Sequence, residues 1–202
     1  MKGSLFAILF SICFIGCKKE ISDKTSINEP GDNVTATSFI EYTIPEGQQF
    51  CTQSTFMLVD CQELNFKVKF DSSAIYKTKA SGNQLDINKL YGFSDNNSTH
   101  QEYSARFGWR WHAGKLEIFA YLYNAGKRSF SKIGEAEIGN VYSCSIKVDG
   151  SHYVFSIGNN SIKLPRESTT KSAVGYKLFP YFGGDESAPH QINIWIEDLS
   201  SS

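Results

Sequence analysis

Ser104, Arg106, Arg110 and His112 occupy alternate positions of one short segment, with Ala105, Phe107, Trp109 and Trp111 between them. A few residues on, Lys115, Glu117, Phe119, Tyr121 and Tyr123 alternate in the same way with Leu116, Ile118, Ala120 and Leu122. A strand sends successive side chains to opposite sides, so each polar set projects together. The turn signal His112-Ala113-Gly114 joins the two segments as neighbours and places both sets on one sheet face. A third alternation near the C-terminus turns Ile192, Ile194 and Ile196 inward and leaves Gln191, Asn193, Trp195 and Glu197 outward, where they are expected to join that face. Tyr181, out of phase with Phe182, joins them.

The combined set offers guanidinium, carboxylate, amide and aromatic groups. Sugars present hydroxyl edges and apolar C–H faces, so a site for them needs planar bidentate hydrogen-bonding groups beside an aromatic platform. Arg106, Arg110, His112, Glu117, Gln191 and Asn193 would supply the first, and Tyr121, Tyr123, Tyr181 and Trp195 the second. The guanidinium fork also matches carboxylate or sulfate oxygens, which points to an acidic glycan. A plainer reading stands beside this one: cross-strand pairs such as Arg110 with Glu117 stabilise any exposed antiparallel sheet by ~0.2–1 kcal/mol each.

Other chemistry finds less support. His100, His112, His152 and His190 are scattered without metal-ligand spacing, so no transition-metal site or cofactor is expected. Asp95-Asn96-Asn97 and the run 183–186 offer oxygen ligands suited to a structural calcium, although such stretches are more often turns. Glu135 and Glu137 pair two acids around an apolar residue, as edge positions do. No Gly-rich phosphate loop or Ser-His-Asp order is present.

The elements that must position these groups read as strands. Period-two alternation runs through Leu64, Phe66, Val68 and Phe70, and further strands are expected near 38–44, 85–92, 141–149, 152–157 and 176–182. Turn signals separate them: Asn124-Ala125-Gly126, Asp149-Gly150 and Gly158-Asn159-Asn160. No stretch gives a convincing helix beyond one short turn at 86–90. Many short antiparallel strands predict an all-β fold of two packed sheets, a sandwich or jelly roll. With 41% hydrophobic and 14% aromatic residues, the part at 38–199 can fill one core. The formal net charge of -1, with no basic stripe, argues against nucleic acid.

Residues 135–164 (EAEIGNVYSCSIKVDGSHYVFSIGNNSIKL) resemble the centre of concanavalin A-like and laminin G-like sandwiches, where a hairpin turning on Asp-Gly leads into a further strand and turn. Residues 106–123 and 176–199 are similar to segments of small lipoproteins of the Bacteroidota with that architecture. The resemblance implies a fold that hosts lectins, carbohydrate-binding modules, glycoside hydrolases and polysaccharide lyases. Lyases of this fold use Arg, Gln or Asn, His and Tyr, and residues of those types occur here as Arg106, Arg110, Gln191, His190 and Tyr181, but without the spacing of their motifs. Carbohydrate binding is therefore the first expectation, with lyase or hydrolase activity second and a protein-interaction module third.

The N-terminus sets the compartment. Lys2, the apolar run at 5–15 and the ending Phe14-Ile15-Gly16-Cys17 resemble a bacterial lipoprotein signal; the run is too short to span a bilayer, which takes ~20 apolar residues. The resemblance implies that Cys17 is lipidated and that the chain is held at a membrane of the cell envelope, with Lys18 and Lys19 leaning toward the outer one. An ordinary secretory signal with an incidental cysteine is the alternative. Residues 18–37 are polar and carry Pro30 and Gly31, as a flexible tether would. Of the other cysteines, Cys51 and Cys61 bracket a segment that could double back as a hairpin, so a disulfide between them is expected, against two reduced thiols. Cys144 falls on the apolar phase of a strand and is expected in the core.

Overall fold

A computed structural model describes residues 38–199; the expected signal, the lipidated Cys17 and the tether lie outside the described residues. The strands are β1 (Ile40–Ile44), β2 (Leu58–Cys61), β3 (Glu63–Phe70), β4 (Asn88–Ser94), β5 (Ser104–His112), β6 (Lys115–Asn124), β7 (Lys127–Ala136), β8 (Val141–Asp149), β9 (His152–Ile157), β10 (Asn160–Pro165), β11 (Ala173–Leu178) and β12 (Ile192–Asp198). They form two antiparallel sheets of six strands, ordered β1-β12-β3-β8-β9-β10 and β2-β11-β4-β5-β6-β7. This is the two-sheet, all-β sandwich that the alternation predicts.

The core lies where the apolar phases of the two sheets meet. Phe107 of the second sheet sits edge-on against Phe66 at 5.6 Å and Phe155 at 5.3 Å, both of the first, and Trp109 meets Phe70 at 5.4 Å. Burying each such ring contributes roughly 1.5–3 kcal/mol, which is why the period-two pattern decides which side of a strand faces inward. The hairpins flanking β6 turn on Ala113-Gly114 and Ala125-Gly126, all four at positive φ between 46° and 76°. Positive φ at both central residues matches the right-handed twist of the strands; β5 and β6 pair without a break, whereas β6 and β7 slip by one residue between Ile118 and Phe119.

Several expectations need correction. The stretch around 81–90 holds a 3₁₀ turn at Ser81–Leu85, upstream of the expected turn at 86–90, and β4 starts only at Asn88. The strand expected at 176–182 ends earlier, at Leu178, as β11. The sequence reading missed β2, β7 and β10: all three are edge strands whose residues are largely exposed, and each marks its inward side with only one or two apolar residues, such as Val59 in β2, Ile133 in β7 and Ile162 and Leu164 in β10. Most consequentially, β12 pairs with β1 and β3 in the first sheet, away from β5 and β6.

The expected disulfide is absent as well: Cys51, Cys61 and Cys144 are free. The segment at 51–61 does not double back. Thr52 N–H donates to the Thr43 carbonyl of β1 at 2.9 Å, tying Cys51 to the first sheet, whereas Cys61 pairs with Ala173 in the second. Burial raises the pKa of both thiols, keeping them protonated.

Candidate functional site

A bulge between β4 and β5 builds the site. Lys89 faces Gly108 and Gly92 faces Arg106, so Leu90 and Tyr91 lie together opposite the single Phe107. Both enter the core, and the extra residue returns Gly92 to the same outer face as Lys89. Gly92 makes room there, because a Cβ on it would come within 2.5 Å of the Arg106 Cβ. The segment after β11 detours over the bulge and rejoins β4 at Tyr181, which exchanges backbone hydrogen bonds with Lys89 at 2.8 and 3.0 Å. That detour frees the Phe179 carbonyl, and Arg106 Nη2 donates to it at 2.9 Å.

Over this floor lies a cavity of about 580 Å³. It is lined by Lys89, Arg106 and Arg128, by Tyr121, Tyr123, Tyr176 and Tyr181, by His100, and by Phe50 and Cys51 of the loop after β1. Among the described residues no carboxylate lines it; Lys177, a further cation of the lining, is paired with Asp198. Arg106 is only 7% exposed, and its Nε has no hydrogen-bond partner. Burial pushes its pKa down to about 10. An uncompensated buried guanidinium is expensive, since leaving one buried donor unsatisfied costs ~1–3 kcal/mol and more for a charged group.

Lys89 is the second cation. Its Nζ donates to the Ile87 carbonyl at 2.8 Å and lies 4.9 Å over the Tyr121 ring. Burial first, then repulsion from Arg106 and Arg128, bring its pKa down to about 8. The Tyr121 and Tyr123 rings meet edge to face at 6.0 Å, and Tyr121 stacks alongside Phe130 of β7. Tyr181 is held by donating to Gln49 Oε1 at 2.7 Å. At the rim the Tyr176 hydroxyl accepts from the His100 N–H and meets its Nδ1, each at 3.0 Å. Burial, aided by Arg106, lowers the His100 pKa, so the ring is neutral at pH 7 and Nδ1 shares one hydrogen bond with the phenol.

The rest of the predicted set divides into two other places. Farther along the same face Arg110 Nε donates to Glu117 Oε2 at 2.6 Å and Lys132 to Glu117 Oε1 at 2.8 Å, with Glu135 bridging Lys132 and Lys115. Burial would raise the Glu117 pKa, but hydrogen bonds from Lys132 and Arg110 bring it below the usual carboxylate range. His112 stands beside this cluster, 4.0 Å from Glu117. These charges compensate one another, as cross-strand pairs do.

Gln191, Asn193 and Trp195 do not join the face. They project from the first sheet, where Gln191 donates to Asn193 and Lys69 lies 4.8 Å over Trp195. The two acidic stretches considered for calcium are engaged within the fold. Asp95 is held by Arg166 and Tyr153, while Glu186 accepts from the Lys79 and Ala80 N–H groups and from Asn83.

Sequence reasoning thus brought Arg106, Tyr121, Tyr123 and Tyr181 to one cavity, and missed Lys89, His100, Arg128 and Tyr176. Arg128 was findable, because Lys127 and Arg128 follow the turn Asn124-Ala125-Gly126 directly and pair with Asn124 and Tyr123 in turn. Lys89 was not, since its direction depends on the bulge.

No protein-family model matches the chain, and no curated protein matches it by sequence. Solved structures do. An alginate lyase superposes with a TM-score of 0.54 at 9% identity, over 82% of this chain and 77% of that one. Its complex with dimannuronate gives 0.51 at 8%, over 82% and 76%. A glycoside hydrolase family 16 endo-glucanase from Bacteroides ovatus gives 0.49 at 13%, over 85% and 84%. At these identities the likeness is one of fold: the chain is a jelly-roll sandwich of the concanavalin A-like kind.

Proposed function

We propose that this chain is an envelope lipoprotein, anchored through Cys17 in the outer membrane, whose sandwich binds an acidic polysaccharide in the cavity beside β4 and β5. One observation carries the reading. Arg106 is buried with a free Nε beside Lys89 and Arg128, and the cavity has no carboxylate to answer them. A uronate carboxylate fits this arrangement, because the guanidinium fork offers two parallel donors, and the tyrosines offer ring faces for the sugar's C–H surface. The similarly folded alginate lyase in complex with dimannuronate agrees with an acidic sugar as ligand.

Calorimetric titration of the purified protein with polygalacturonate, alginate and a neutral glucan tests it. The two polyanions should bind and weaken as salt is added, and Arg106→Met should weaken the binding at least about tenfold. Failure of both polyanions to bind would overturn it. For the anchor, Cys17→Ser should release the protein from the membrane fraction; retention there would reject lipidation at that residue.

A second reading, β-elimination, is favoured by the Tyr176–His100 pair. Arg106 would neutralise the uronate carboxylate while the Tyr176 oxygen takes the neighbouring C–H proton and passes its own to His100; the C–H electron pair would become the new C=C bond as the C–O bond to the departing sugar breaks, and that oxygen would take a proton from water. An unsaturated product absorbing in the near ultraviolet would establish it, and binding without that product would leave the cavity a binding site.

A further inference from the structure

We infer that Lys89 is a reactive amine that condenses reversibly with the carbonyl group of a small carboxylate-bearing aldehyde or keto acid held in the same cavity. The geometry supplies three conditions. First, the amine lines the cavity and is fixed: Nζ donates to the Ile87 carbonyl at 2.8 Å, rests over the Tyr121 ring, and lies so close to Gly183 that a Cβ there would come within 2.6 Å of it. Second, the charged and titratable groups around it oppose its protonation. Arg106 on β5 and Arg128 on β7 repel an ammonium, the Tyr121 ring on β6 lies beneath Nζ with Tyr181 on the same cavity wall, and Asp86, ahead of β4, opposes them with a smaller effect. Third, the two guanidiniums attract a carboxylate to within reach of the amine.

A desolvated lysine beside other cations is a recognised way of making an amine nucleophilic at neutral pH. With a pKa of about 8, its neutral fraction at pH 7 is roughly 200 times that of an ordinary lysine. In the step itself the Nζ lone pair forms a C–N bond to the carbonyl carbon and the C=O π pair moves onto oxygen, which takes a proton. The resulting carbinolamine takes a proton from solvent, loses that oxygen as water and leaves a protonated imine, which returns the proton to solvent as the neutral imine. Amine and carbonyl compound give imine and water, nothing is oxidised or reduced, and hydrolysis reverses the step. The open-chain form of a uronate at a glycan's reducing end is such a compound, and only this choice of natural ligand rests on the acidic-glycan reading.

Glyoxylate with cyanoborohydride, followed by peptide mass mapping of the folded protein at pH 7, tests the inference. Lys89 should be alkylated on the order of a hundredfold faster than the exposed Lys115, Lys127 and Lys147, and the preference should vanish in denaturant. Arg106→Met should slow the reaction with glyoxylate more than with propanal, which carries no charge and registers only the loss of Arg106's repulsion of the ammonium. Labelling of Lys89 no faster than of Lys147 would overturn the inference, as would equal slowing of both aldehydes. Selective labelling in a protein that binds neither polygalacturonate nor alginate would remove the glycan reading and leave the reactive amine standing.

Discussion

Arg166 and Arg106 are both more than nine-tenths buried, at 5% and 7% exposure, yet their surroundings are opposite. Arg166 sits at the end of β10 and gives Nε and Nη2 to the two Asp95 oxygens at 2.8 and 3.1 Å, Nη1 to the Thr170 carbonyl, and further bonds to Ser168 and Ser172. Asp95 is fully buried and accepts from Tyr153 as well. Its partners overcome the burial that would raise its pKa and hold the carboxyl below the usual range. Arg106 makes one bond to a carbonyl and has no acid. A buried charge that is fully matched closes a fold, whereas one left unmatched at a cavity wall is a place for a ligand.

The largest expected effect breaks the matched side. Arg166→Met leaves Asp95 buried and unpaired, and should lower stability by ~3–5 kcal/mol in urea unfolding. On the same side, the Asp95 carboxyl has a lower pKa folded than unfolded. Its contribution is therefore complete above the ordinary carboxylate value of about 3.9 and is lost as pH falls below it. Acid unfolding monitored by tyrosine and tryptophan fluorescence should begin in that window, and an Asp95→Asn variant should show a shallower acid limb.

On the unmatched side the balance reverses. Arg106→Met should weaken binding of polygalacturonate by ~1.5–3 kcal/mol in calorimetry while changing stability far less than Arg166→Met, because the group removed strands no acid, only the Phe179 carbonyl. A stability loss as large as that of Arg166→Met would erase the distinction between the two arginines. Lys89 sharpens it through pH. A lysine with a folded pKa of about 8 and an unfolded one near 10.4 disfavours the folded state when charged, so stability should rise from pH 8 to 9.5. The rise should be missing in Lys89→Met.

The smallest effect is expected where charges on the same face already answer one another. Glu117→Gln should cost about 1 kcal/mol in urea unfolding and leave binding unaltered, since Arg110 and Lys132 keep partial access to water.

Much of the framework was legible. β8 and β9 fall where the alternation and Asp149-Gly150 put them, and the inward phases Leu64 to Phe70 and Ala105 to Trp109 are the ones that enter the core. The site was legible only in part. Arg106 and Tyr121 were found together because a two-residue turn fixes their strands as partners. Lys89 was hidden by the bulge, and Trp195 was misassigned because its outward direction says nothing about which sheet it leaves.

The chain by itself determined which side of each strand is apolar, since that depends only on neighbours two residues apart and on the free energy of burying their side chains. Which strands become partners, where one slips by a residue, and whether a guanidinium meets an acid were decided by tertiary structure alone. Those outcomes depend on segments far apart in sequence, as when residues 177–184 cross β4 and bring a carbonyl, but no carboxylate, to Arg106.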